Sequence, residues 1–355
     1  MASLDDLKLV EKYDKSDMLG TIELFPRQCL EAKSIGLSFN LPEAYRIPYR
    51  NIICTGLGGS AIGADILRSY LWNKIKIPLF VNRNYVLPAF ADQDTLVVVC
   101  SYSGNTEETI NAYRDAKKKG AKAVIATTGG ILRKLAEKDG VPVIPIPKGL
   151  QPRCAIGYMA ITVLILLSKI GILSSSLREI DETVEVLDNI RRKKAGFAVR
   201  ENKNIAKKIA RALYGKYPVI YASQDYMDCA VTRLRGELSE NAKILSAGNS
   251  FPEMNHNEIE GWDGGKKIFR DFTAVILRDT FDHPQISRRM DITEKIISRE
   301  GVRVIEVYSE GRSRLARIFS LVYIGDFISL YLAILNRTDP TPVERISEIK
   351  KNLKK

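Results

Sequence analysis

Histidine is the scarcest chemically versatile residue in this 355-residue chain, which holds only His256 and His283. No second imidazole stands at ligand spacing from His256, so a metal site using it with Glu253 and Glu258 is disfavoured. The five cysteines, Cys29, Cys54, Cys100, Cys154 and Cys229, lie far apart and form no C-x-x-C pair. That argues against both a zinc knuckle and a disulfide framework, and they read as small core hydrophobes. No apolar run approaches the roughly 18 residues of a membrane span; the longest considered, YMAITVLILLSKIGIL at 158–173, is broken by Lys169. The N-terminal MASLDDLKLVEKYDKSD is charged and has no apolar signal core. A soluble, cytoplasmic protein with no membrane partner is expected. Aromatic–basic interleaving and zinc fingers are also missing. The formal charge of +12 comes from 54 Lys and Arg against 42 Asp and Glu, but the densest basic runs (117–119, 191–194 and 354–355) are short. No nucleic-acid partner is expected, and the excess charge suits a small anionic substrate.

What is present is a repeated alternation. With 45% hydrophobic and 27% charged residues, the chain is long enough for two cored domains. The runs at 51–56, 77–82, 95–101, 121–128 and 141–146 are short, apolar and end in turn residues, with helix-length segments between them. That pattern predicts a parallel sheet buried on both faces. A charged helical stretch over 176–214 follows, and the alternation resumes at 217–223, 273–279 and 302–309. The expected fold is α/β, with two doubly wound parallel-sheet domains of similar topology. The first, 1–174, carries the phosphate-binding loops; the second, 175–355, holds a linker helix near 174–195 and the C-terminal helix.

Two loops carry the chemistry. CTGLGGSAIGADIL at 54–67 follows a strand and opens a helix, and Gly56, Gly58 and Ala61 formally fit a dinucleotide fingerprint. The acidic residue that a ribose contact needs after the next strand is missing, and LFVNRNY offers Arg83 instead. The second loop, CSYSGNTEET at 100–109, supplies hydroxyls from Ser101, Ser103 and Thr106, close approach at Gly104, and Thr106 as a cap for a helix beginning near Glu107. Either loop alone is an ordinary strand-to-helix turn. Two at adjacent strand ends converge on one crevice, where helix N-termini favour an anion and hydroxyls suit a phosphate.

These loops together resemble the sugar isomerase (SIS) domain, whose phosphate loop S-x-S-G-x-T-x-E-T is filled at every position from Ser101 to Thr109. GLQPRCAIGYM (149–159), RLRGELSENAK (233–243), FPEMNHNEIEGW (251–262) and DPTPVERISEIKKNL (339–353) narrow the resemblance to the bifunctional phosphoglucose/phosphomannose isomerases, over essentially the whole chain. The resemblance implies reversible aldose–ketose isomerisation of a hexose 6-phosphate through a cis-enediolate, with no cofactor or metal. It implies phosphate binding by Gly59, Ser60, Ser101, Ser103 and Thr106.

Such chemistry needs a carboxylate shielded from bulk water to carry one proton between neighbouring carbons, a group to open the ring, and a cation for the enediolate. The resemblance gives these roles to Glu240, to His256 and to Arg153. It also implies a homodimer in which His256 reaches the neighbouring subunit's site. Thr341 reads either as a helix N-cap or, by the resemblance, as the residue that admits the carbon-2 epimer. Lys350 or Lys351 is expected near the sugar, and His283 reads as a surface turn. A sugar-phosphate regulator would keep the hydroxyl loop without needing Glu240 or His256. An aminosugar isomerase of the same domain type would usually carry an amide-transfer domain with a catalytic N-terminal cysteine, whereas this chain begins MASL.

Overall fold

The structure, a computed structural model, describes residues 3–264 and 266–353. The basic pair at 354–355 lies outside the described residues. The chain divides into two compact units, Leu24–Leu187 with Gly311–Phe319, and Met1–Glu23 with Asp188–Glu310 and Ser320–Lys355.

The first unit holds β1 (Asn51–Thr55), β2 (Leu79–Asn82), β3 (Thr95–Cys100), β4 (Lys122–Thr127) and β5 (Val143–Pro145), all parallel, in the order β2-β1-β3-β4-β5. Every residue of β1 and β3 is buried, as both-face burial requires. Ile53, Val97, Val99, Tyr113, Ile125 and Leu132 form a core on this sheet. The strand order reverses between β1 and β3, and a doubly wound sheet opens its crevice at such a reversal, outside the carboxyl ends of the strands. The loops that follow β1 and β3 are the two singled out by their composition.

The second unit holds β6 (Tyr217–Ser223), β7 (Ala247–Phe251), β8 (Phe272–Arg278) and β9 (Arg303–Tyr308), parallel, in the order β7-β6-β8-β9. This is the first sheet's order without its fifth strand. The edge strand β7, AGNSF, is not among the expected ones, because Gly248, Asn249 and Ser250 carry no apolar run.

The units divide at 187/188, inside helix Leu177–Ile190, rather than at 174/175, and the first 23 residues go with the second sheet. Lys207 gives the reason. Its side chain is fully buried, and its ammonium donates to Asp5 Oδ1 at 2.8 Å and to the carbonyls of Phe197 and Val199. A buried cation needs a counter-charge, and the N-terminal segment supplies it. Phe197 N also donates to Glu23 Oε1 at 3.0 Å.

Against expectation, two helices among the described residues are long and apolar enough to cross a membrane, Pro152–Ile170 and Arg314–Leu335. Protein already buries 89% and 100% of their apolar windows, as in core helices. All five cysteines are buried and unbridged, and burial pushes the Cys100 thiol up to about 12.

Candidate active site

The first sheet's two loops are joined by a backbone-to-side-chain hydrogen bond. Tyr102 N donates to Ser60 Oγ at 3.2 Å, tying the loop after β3 to the first turn of helix Gly59–Leu71 after β1. Inside the second loop Ser101 is fully committed. It is 1% exposed, accepts from Gly104 N at 3.2 Å and donates to Thr106 Oγ1 at 3.1 Å. Ser103 Oγ accepts from Asn105 N at 3.2 Å. A hydroxyl that accepts still has a hydrogen to give, so Ser60, Ser103 and Thr106 each retain one donor. Thr106 occupies the cap position of helix Glu107–Lys118, but its side chain makes no capping bond, contrary to the expected role. Ser101 engages it instead.

Gly104 makes the loop compact. Its φ is +68°, and a Cβ there would stand 1.8 Å from the Gly129 carbonyl oxygen. The loop after β4 is bonded on top of it, Thr128 N to Tyr102 O and Leu132 N to Gly104 O. Gly59 is required for a different neighbour. A Cβ at that position would lie 2.6 Å from the Pro152 carbonyl oxygen and 2.7 Å from Arg153 Cα. Arg153 therefore backs directly onto the first loop. It sits in the short turn Pro152–Ala155, is 2% exposed, and the Gln28 amide brackets its turn by bonding Cys154 O and Gly157 N. Arg83 pairs with Asp65 of helix Gly59–Leu71, so the position where a dinucleotide site wants an acid holds a paired cation.

In the second unit Glu240 is the last residue of helix Asp228–Glu240 and is half-buried. A buried polar stripe fixes that helix end. Arg233 meets Glu237 at 2.6 Å and Asp326 at 3.0 Å, while Asn241 Nδ2 donates to Glu237 Oε2 at 2.7 Å and to Ser329 Oγ at 2.9 Å. Burial pushes the Asp326 carboxyl up, and the Arg233 guanidinium opposes that rise. Glu240 follows Glu237 by three residues and so lies at the edge of the stripe. It lines a cavity of about 530 Å³ together with Lys243, Thr338, Asp339 and Arg345.

His256 ends the short helix Glu253–His256 and is exposed. Its neighbours are anchored: Met254 is in the core, Asn255 Nδ2 donates to Thr293 Oγ1 at 2.9 Å, and Glu258 accepts from Tyr221 and Asn249, both at 2.6 Å. The ring is thus carried on an exposed turn with both flanks fixed. His283 caps helix Pro284–Arg299, its Nδ1 accepting from Gln285 N at 3.2 Å.

Thr341 is not the cap of the final helix. Pro342 follows it, which disfavours helical backbone at Thr341, and the cap of Glu344–Asn352 is Val343. Thr341 N instead donates to Asp339 Oδ1 at 2.9 Å. Lys350 and Lys351 are exposed on that last helix, which has no buried residue. Thus the structure gathers Gly59, Ser60, Ser101, Ser103, Thr106 and Arg153 at one switch point in the first unit. In the second unit it brings Glu240 to the cavity walled by the segment that carries Thr341, with His256 on its own anchored turn. Sequence reasoning misses Lys243; its signal is a lysine placed where a helix end usually has glycine.

Residues 202–353 match the family described as the bacterial phospho-glucose isomerase C-terminal SIS domain. A bifunctional phosphoglucose/phosphomannose isomerase of Caldicellulosiruptor bescii is 46% identical over 95% of this chain and 98% of its own. One from Aquifex aeolicus is 36% identical over 87% of this chain and 92% of its own. Among solved structures, a hypothetical protein from Thermus thermophilus shares the fold, with a TM-score of 0.75 at 14% identity, covering 98% of this chain and 92% of that one. Near-complete coverage on both sides at 46% identity places this chain in the family of bifunctional phosphoglucose/phosphomannose isomerases.

Proposed function

We propose that this protein interconverts glucose 6-phosphate, and its carbon-2 epimer mannose 6-phosphate, with fructose 6-phosphate. The observation that carries the reading is the cradle at the β1/β3 reversal. There Ser60, Ser103 and Thr106 each accept within the protein and keep a hydrogen to donate, beside two helix N-termini. Such a site fits a phosphate dianion. Ser101 shapes the cradle and Gly59 lets the Arg153 turn approach it.

The remaining roles follow from what each group can do. His256 moves the proton from the carbon-1 hydroxyl to the ring oxygen as the ring opens, a task for an imidazole, which can both accept and donate a proton. Glu240 then takes the proton from carbon 2, which leaves a cis-enediolate with its negative charge on oxygen 1. The permanently charged guanidinium of Arg153 stabilises that charge. A hydroxyl proton passes from oxygen 2 to oxygen 1, and Glu240 returns its proton to carbon 1, completing the ketose. Thr341 takes part in accepting the second epimer, and Lys350 approaches the sugar from the last helix. No step calls for a cofactor.

The active form is a homodimer in which His256 serves the neighbouring subunit's site, and it works in the cytoplasm, where thiols such as the five buried here stay reduced. A coupled assay on fructose 6-phosphate with EDTA present, reading glucose 6-phosphate and mannose 6-phosphate separately, tests the whole. Both products are expected. Glucose 6-phosphate alone would remove the role of Thr341, no product would remove the isomerase reading, and full activity in a species that sediments as a monomer would remove the dimer.

A further inference from the structure

Lys243 has a backbone that does not suit it. Its φ is +58°, left-handed, three residues past the end of helix Asp228–Glu240. Glycine adopts that conformation without strain, whereas a residue with a Cβ is uncommon there. A lysine at such a position points to work for its side chain. Its ammonium donates to three carbonyls: that of Glu240, that of Pro342 at 2.6 Å and that of Pro340 at 3.5 Å. A lysine that only neutralised the helix C-terminus would stop at the first. This one reaches a segment about a hundred residues further along the chain.

The segment it reaches is poor in backbone donors. In DPTPV, at 339–343, two prolines lack N–H groups, so the stretch cannot zip into regular structure; Thr341 N bonds Asp339 Oδ1 and Val343 O accepts from Ser347 N, while the carbonyls of Pro340 and Pro342 accept from Lys243. Beyond it, helix Glu344–Asn352 buries nothing. One side chain thus ties the turn after Glu240 to the strap that carries Thr341, along a wall of the cavity they share.

We propose that Lys243 is a positioning residue: it sets the distance between the base Glu240 and the 339–343 strap, and through that distance the balance between the two carbon-2 epimers. This rests on the roles given above to Glu240 and Thr341. Lys243→Gly supplies a test, because glycine relieves the backbone while removing the ammonium. The expected protein melts no lower than the parent, loses about tenfold or more in kcat, since misplacement by about 1 Å can cost roughly a hundredfold, and changes its ratio of mannose to glucose 6-phosphate formation severalfold. Amides of 344–352 should exchange faster with solvent. Lys243→Asn, which tolerates the same backbone but cannot reach the strap, should behave alike, and Lys243→Arg should recover kcat and the product ratio together. Wild-type kcat, product ratio and exchange in the glycine and asparagine variants would overturn the proposal. Full turnover by Glu240→Gln would instead overturn the reading of Glu240 beneath it, a separate result from a separate variant.

Discussion

The two sheets share one strand order and differ in what stands at the reversal. In the first, the loops after β1 and β3 offer glycines and hydroxyls that accept inside the protein and can still donate. In the second, the loop after β8 offers carboxylates whose near neighbours are already theirs. Ser223 donates to Asp282 at 2.5 Å, the Asp279 N–H donates to the same carboxyl at 3.0 Å, and Ser309 donates to Asp279 at 2.6 Å. Arg278, the nearest cation in sequence, is held by Glu306 and Asp291. A phosphate would meet donors in the first crevice and like charge in the second. Topology makes a crevice in both units, and the side chains decide whether it binds an anion. The second unit instead has Glu240 at a helix end and His256 on an anchored turn.

Three experiments press on this contrast, from the largest expected effect to the smallest. Replacing Glu240 by Gln should abolish turnover while sugar-phosphate binding, followed calorimetrically, stays near the parent's. Full activity would show that the second unit does not supply the base. Ser103→Ala combined with Thr106→Ala should raise the Michaelis constant for fructose 6-phosphate about a hundredfold, since a hydrogen bond to a charged group contributes roughly 1.5–3 kcal/mol. Ser223→Ala, at the matching place in the second sheet, should leave that constant unchanged. Equal effects at the two places would erase the distinction between the crevices.

The third concerns pH. Burial pushes the Asp282 carboxyl above its ordinary value of 3.8. Folded protein therefore holds this proton more tightly than unfolded protein, and stability from this group declines as pH rises from near 3.8 through the raised value. Melting temperatures of the parent measured against Asp282→Asn should accordingly show the parent at its relative best at the acid end. A difference that is flat, or that runs the other way, would mean the second crevice does not burden its carboxylates with burial.

The parts of the molecule that can be read in advance are those whose causes are local. Eight of the nine strands among the described residues announce themselves as apolar runs bounded by turn residues, and β7 does not, because an edge strand of Gly, Asn and Ser has no such run. The loop after β3 is legible for the same reason: Gly104 and the hydroxyls lie within nine residues and act through their own backbone. The capping role expected of Thr106 fails because Ser101, five residues earlier, engages its hydroxyl. Helix Arg314–Leu335 escapes the sequence reading although its composition is plain. Its placement depends on partners such as Arg233, 93 residues from Asp326.

By itself the amino-acid sequence determined the α/β alternation, the glycine and hydroxyl supply of the loops after β1 and β3, and the family, because periodicity, backbone freedom and hydroxyl supply are properties of short segments. Only the tertiary structure decided that the N-terminal segment belongs with the second sheet, that Arg153 is buried against Gly59, and that Lys243 reaches from the turn after Glu240 to the strap before the last helix. Each of these is a charged or close-packed side chain finding its partner roughly a hundred or more residues away. Burying a charge requires such a partner, and the partner's address is written in the fold.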